Sequence, residues 1–153
     1  MTETLESLRI TRRFDAAPER VFDAWIDPGL AGRWLFTTPT SQRHSTELDV
    51  RVGGKWSITD RRDGVDYTAL GDYVEIDRPR RLVFSFAMPQ FSPLSCTVTV
   101  EIVPDGDGCL MTLTQDGVPA ASLKPTEEGW TAMFDALADQ LKAASQTRDS
   151  PRA

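Results

Sequence analysis

A single histidine and two cysteines are the whole supply of imidazole and thiol groups in this chain of 153 residues. His44 lies in the turn-rich run "TTPTSQRHSTE" before the second strand and reads as a solvated loop residue. One His and two separated Cys do not complete a tetrahedral site, so neither a metal nor another cofactor is expected. "RVGGKW", residues 51–56, pairs two glycines with a lysine but falls between two strands, whereas a phosphate loop joins strand to helix. No G-x-S-x-G occurs and no nucleophile has a base at a local spacing, so no catalytic residue is assigned. A cyclase or hydrolase would have to use a carboxylate in a shaped cavity, and Asp60 is the candidate. The chemistry that remains is recognition by apolar walls and a few polar groups.

Periodicity gathers the residues that would do this. Strand alternation turns Trp56, Ile58, Tyr67, Phe84, Phe86, Met88 and Met111 to one face. Trp130, Met133, Phe134, Leu137 and Leu141 recur at i, i+3, i+4, i+7 and i+11, one stripe of a long helix expected over 125–143 with Pro125 in its first turn. Each of these side chains fits plain core packing as well as a pocket wall. Four wide rings together, Trp56, Phe84, Phe86 and Trp130, would either overfill a closed core or line an open one. Arg12, Asp60 and Gln115 share the inward parity, and Tyr67 can aim its hydroxyl the same way. These polar groups would fix the head of a ligand, form a buried pair that only sets structure, or lie at a solvated rim. Gly129 interrupts the first turns of the helix at a cost of ~1 kcal/mol against alanine. Close packing on the sheet or space for a ligand would account for it.

The positioning elements follow from pairing tests. Leu8 to Phe14 is the first strand, and six more run between residues 47 and 116 at hairpin spacing, which makes a mostly antiparallel meander of seven strands. Across "RRDG", Trp56 and Ile58 are set against Ala69 and Tyr67. Across "DRPR", Ile76 meets Leu82 and Val74 meets Phe84, with a bulge expected at Gly71 where the inward parity changes. A three-residue loop, Val52 to Gly54 with Gly54 left-handed, pairs Val50 with Trp56 and Leu48 with Ile58. Across "PDGDG", Val98, Val100 and Ile102 pair with Leu113, Met111 and Cys109. Cys96 is then opposite Gln115, ~20 Å from the level of Cys109, so no disulfide forms.

One long helix is only ~10–12 Å wide and cannot cover such a sheet. Pro18 opens a short helix with Val21, Phe22, Trp25 and Ile26 on one face, "DPG" at 27–29 ends it, and "LAGRWL" adds a second turn presenting Leu30, Trp34 and Leu35. Inserted between the first two strands, this pair would plug one end of a curved sheet and leave a cup.

The runs "RRFDAAPERVFDAWIDPGLAGRWL", "DVRVGGKW", "GDYVEIDRPRRLVFSF" and "EEGWTAMFDALADQL" resemble the Aha-type branch of the START-like (SRPBCC) superfamily, bacterial relatives of the activator of a heat-shock chaperone ATPase. The resemblance runs from about residue 7 to 142. It implies an α+β helix-grip fold: a seven-stranded curved antiparallel sheet around a long C-terminal helix, with two short helices between strands 1 and 2 and a cavity inside. Members of the superfamily are described as binders of apolar small molecules, as enzymes and as chaperone-linked proteins. Where relatives often carry a second Trp and Gly-Pro, Trp34 is followed here by Leu35 and Phe36, which implies a more apolar entrance. Because the resemblance takes up nearly the whole chain, the separate domain with which eukaryotic activators grip the chaperone is not expected in it.

Charge and composition narrow the partners. With 17 Lys and Arg against 23 Asp and Glu, the net charge of −6 and the lack of a basic run disfavour nucleic acid and anionic membranes. No apolar run reaches a membrane span and "MTETLESLRI" lacks the features of a signal peptide, so a cytoplasmic protein is expected. Residues 5–144 are read as one domain and the polar run 145–153 as a disordered tail. The expected partner is a small, largely apolar molecule held by Trp34, Trp56, Ile58, Tyr67, Phe84, Phe86, Met88, Met111, Trp130, Phe134, Arg12, Asp60 and Gln115. An enzyme using a cavity carboxylate and a chaperone-linked interaction module are the alternatives. Oligomeric state, a homodimer included, is left open.

Overall fold

The computed structural model describes residues 4–36, 42–90 and 95–149. Its seven strands form one antiparallel sheet: β1 (Leu5–Phe14), β2 (Gln42–Leu48), β3 (Lys55–Arg62), β4 (Val65–Asp77), β5 (Arg81–Ala87), β6 (Ser95–Asp105) and β7 (Gly108–Pro119). The order across the sheet is β1-β7-β6-β5-β4-β3-β2, so the first strand lies beside the last. Two short helices, α1 (Pro18–Ile26) and α2 (Pro28–Ala31), separate β1 from β2, and α3 (Leu123–Asp149) follows the sheet. Among the described residues no helix is long and apolar enough to cross a membrane.

Turn chemistry sets the registers, and it moves several expected pairings by two residues. Asp63 and Gly64, both with positive φ, make a two-residue turn between β3 and β4, which sets Trp56 against Gly71, Ile58 against Ala69 and Asp60 against Tyr67. Gly106, with φ +60°, tightens the β6–β7 turn, so Val98, Val100 and Ile102 face Gln115, Leu113 and Met111. The β2–β3 connection is wider than expected. Leu48 pairs with Trp56, and Gly53, with Gly54 unstrained beside it, is the left-handed residue. That loop is anchored on β4, because the Gly53 N–H donates to the Tyr73 carbonyl and the Tyr73 N–H to the Gly54 carbonyl (2.8 and 2.9 Å). The bulge in β4 falls between Tyr73 and Glu75, which sets Phe84 against Tyr73 and leaves Val74 exposed. His44, expected in a loop, belongs to β2, beside the register shift between Arg43 and Ser45.

The even shifts preserve parity, so the inward face survives them, while the one-residue shift at the bulge replaces Val74 by Tyr73 on that face. Cys96 lies across from Gly117, to whose carbonyl its thiol donates (3.3 Å), while Cys109 pairs with Pro104 still farther along the strand. Both cysteines are free. Burial pushes the Cys109 thiol above its ordinary range, whereas Cys96 is only half-buried. Titration with a thiol reagent is expected to give one fast-reacting group in the folded protein and two after unfolding in denaturant, because a thiolate must be both formed and reached. Two fast groups in the native state would contradict the burial of Cys109.

The helix α3 continues to Asp149, past the expected end at 143 and through part of the run expected to be a tail. No Gly or Pro follows Gly129 before residue 150, so nothing in the chain stops it. Gly129 itself is exposed and an added methyl group would meet nothing within 4 Å, so neither close packing nor ligand space accounts for it.

The two short helices form a plug with its own fastenings. Pro18 sits in the first turn of α1, and Asp27 caps α2 by accepting from the Gly29 N–H (2.9 Å). The Trp34 indole N–H donates to the Ala24 carbonyl (3.0 Å), folding the turn after α2 back onto α1, and the Trp25 and Trp34 rings meet edge to face at 4.7 Å. Arg78 grips Asp23 with two hydrogen bonds (2.7 and 2.8 Å), Arg20 reaches the Leu141 carbonyl, and Gln140 reaches the Leu30 carbonyl. The plug is therefore tied to the sheet through α1 and to α3 through both helices.

Candidate functional site

Plug, sheet and α3 meet in one aromatic cluster. Trp34, Trp56, Ile58, Phe84, Met111, Trp130 and Phe134 are buried in it, and Phe86 and Met88 pack against it half-buried. Sequence reading placed all of these on the inner face but treated Trp25 only as helix packing. Trp25 is at the centre, with ring centroids 5.9 Å from Trp130, 6.0 Å from Phe84 and 6.3 Å from Phe134.

The polar residues of the inward face separate. Gln115 is buried and accepts from the Trp130 indole N–H (2.7 Å), a bond that sets the ring of Trp130 against β7. Arg12 leaves the interior at the rim, where it pairs with Asp135 of α3 (2.6 Å) and lies over the Phe14 ring. Asp60 is buried opposite the half-buried Tyr67, near the far end of the β3–β4 ladder. A cavity of about 10 Å³ remains, lined by Trp25, Leu35, Leu48, Trp56, Tyr73, Leu82 and Phe84. Of the inward candidates only Trp56 and Phe84 line it, and it holds about one water molecule. Among the described residues the cup is nearly full.

What fills its mouth is the residue after Leu35. Phe36 lies almost parallel to Trp56 (5.4 Å, 6°) and to Phe86 (4.8 Å, 16°). Those two rings are themselves nearly parallel (6.3 Å, 21°), and Phe36 stacks on both, so Trp56 and Phe86 together make an aromatic platform for it. The platform is held rigidly. Gly71 has no side chain, so the Trp56 indole passes over it and donates its N–H to the Ser85 carbonyl on β5 (3.0 Å).

The cover is held less firmly. Phe36 is half-buried, its φ is +54°, and its N–H faces the Met133 thioether (2.9 Å), a weak acceptor. A left-handed backbone costs a residue with a Cβ about 1–2 kcal/mol, and for a bulky side chain it marks stored strain. Strain of this kind collects at clamps and switches. The sequence signal for it was the replacement of the usual residues after Trp34 by Leu35 and Phe36, but nothing in the sequence told that the ring would lie on Trp56.

Comparisons with known proteins agree on the fold. A crystal structure of a Chromobacterium violaceum protein is 25% identical with a TM-score of 0.82, covering 88% of this chain and 96% of its own. A Rhizobium loti protein is 28% identical with a TM-score of 0.76, covering 92% and 100%. The solution structure of an AHSA1-like protein from Aeromonas hydrophila, 20% identical with a TM-score of 0.79 over 97% and 100%, shares the seven-stranded helix-grip architecture. No curated protein matches the chain. The sequence model of the family described as Activator of Hsp90 ATPase homolog 1-like protein matches residues 15–142.

Proposed function

The chain belongs to the family of Activator of Hsp90 ATPase homolog 1-like proteins, and on that premise we propose that it binds a small, planar, largely apolar molecule on the platform of Trp56 and Phe86. The observation that carries this reading is Phe36, a strained and half-exposed ring that occupies a flat aromatic surface as a ligand ring would. A ligand of similar width takes the place of Phe36, keeps the stacking, and releases the backbone from its left-handed conformation. The edge of Trp130, 5.5 Å from Phe36, then bounds the ring from the helix side.

The reading makes Phe36 a competitor of the ligand. Stacking and partial burial of its ring contribute about 1–2 kcal/mol, so removing the ring while keeping the strain, as in Phe36→Ala, is expected to tighten binding of a planar fluorescent probe such as 1-aminoanthracene about tenfold, and removing both, as in Phe36→Gly, to change it less. Phe36→Gly separates the two effects, because glycine accepts the positive φ without strain. Its stability should stay within ~1 kcal/mol of the parent, while Phe36→Ala, which keeps the strain, should fall further. Fluorescence titration of the three proteins checks this. Equal probe affinity in all three, or no saturable binding in any, would remove the platform as a ligand site.

A further inference from the structure

The cavity beside the platform specifies the ligand further, on the reading just given. Three of its lining side chains are polar, and each has a different status. The Trp56 N–H is committed to the Ser85 carbonyl. Tyr73 presents a phenol that burial and the charge of Asp49 hold well above its ordinary pKa, so it stays neutral. The Trp25 indole N–H, on a residue 2% exposed, has no hydrogen-bond partner among the described residues. The other lining residues, Leu35, Leu48, Leu82 and Phe84, are apolar, so among the described residues no charged side chain lines the cavity.

An unmade hydrogen bond in such surroundings is costly and is kept where something else satisfies it. We propose that the Trp25 N–H is the polar anchor of the site and that the planar ligand carries a neutral acceptor of the carbonyl class, whose oxygen enters the cavity while its ring lies on Trp56 and Phe86. The dimensions suit this division. The cavity has room for one small atom group and no more, and both Trp25 and Trp56 line it, with the ring of Phe84 6.0 Å from the first and 5.5 Å from the second. A carboxylate is disfavoured because no cation lines the cavity to neutralise it, and an ammonium because its own N–H groups would oppose the indole donor.

Acetophenone and α-methylstyrene test the assignment, since they differ little in shape but only the first has an oxygen. Their affinities are measured by NMR titration of the ¹⁵N-labelled chain and of the Trp25→Phe variant. Exchange of Trp25 for Phe is expected to shift the affinity ratio against acetophenone by roughly fivefold to tenfold, the equivalent of one hydrogen bond to a neutral acceptor. In the parent protein the Trp25 indole proton should move downfield with acetophenone and stay in place with α-methylstyrene, a readout that does not depend on the variant folding. If both compounds bind with an unchanged ratio and a stationary indole proton, the Trp25 assignment is wrong and the platform stands. Failure of both compounds to bind the parent and Phe36→Gly proteins would overturn the two proposals together.

Discussion

Phe84→Ala is expected to lower the unfolding free energy by about 3–5 kcal/mol, the cost of emptying a packed aromatic site. Phe84 is 3% exposed, its ring touches Trp25 on the plug and Trp56 on β3, and the void beside it is only about 10 Å³. With so little slack, the neighbouring rings cannot close over the missing volume without leaving the tilted and edge-to-face contacts that hold them. Urea unfolding followed by far-UV circular dichroism should show a lower midpoint at an unchanged slope, as a change in stability requires. A loss below ~1 kcal/mol would mean that Phe84 already faces open space and that the cup is emptier than described. The contrast with Phe36→Gly separates the two kinds of ring in this cluster. Removing one collapses support, and removing the other uncovers a surface.

Gly71→Ala should be the most damaging glycine substitution in the sheet for which the geometry is this explicit. A Cβ at this position would sit 1.8 Å from the Ser85 carbonyl oxygen and 2.8 Å from the Trp56 indole nitrogen. The β4 and β5 backbones must part to admit it, and the Trp56 N–H must give up Ser85. Overpacking of this kind costs about 1–3 kcal/mol and the lost hydrogen bond about 1 more. Thermal denaturation is expected to show the loss, and hydrogen exchange of the Trp56 indole proton should accelerate ahead of global unfolding. Gly129→Ala provides the control: its methyl group meets nothing and removes a flexible residue from a helix, so it should stabilise by ~0.5–1 kcal/mol. If the two substitutions proved equivalent, the account of Trp56 resting on Gly71 would be wrong.

The faces of the strands were readable from the sequence and their registers were not, for one physical reason. Alternation has a period of two, so a pairing displaced by two residues keeps every side chain on its proper side. Whether "RRDG" contributes four residues or two to its turn depends on Asp63 accepting a positive φ, and "PDGDG" depends likewise on Gly106. Local sequence permits both choices. The bulge could be inferred from the change of parity after Tyr67, but its position at Val74 rather than Gly71 is decided across the sheet, where the Trp56 indole needs the space above Gly71. Long-range geometry also hid the most informative polar group. Trp25 belongs to an apolar helix face by periodicity, and only the arrangement of its neighbours reveals that its N–H meets no acceptor among the described residues. The stripe of α3 and the plug, by contrast, were legible because Pro18, the "DPG" break and the recurrence from Trp130 to Leu141 are local signals.

The neighbouring of β1 and β7 constrains when this chain can fold at all. Leu5 is paired with Pro119 and Phe14 with Cys109, and the plug that follows β1 is fastened to Leu141 and Gln140. A nascent chain emerging from the ribosome has β1, α1 and α2 available from the start but lacks every partner that would cover them. Contacts separated by about a hundred residues or more close slowly, since loop entropy is lost before any contact repays it. Trp25 and Trp34 stay exposed through most of synthesis, and the domain closes only when the end of α3 is released. Its productive folding therefore waits for α3, and the interval before closure is when it is most open to aggregation.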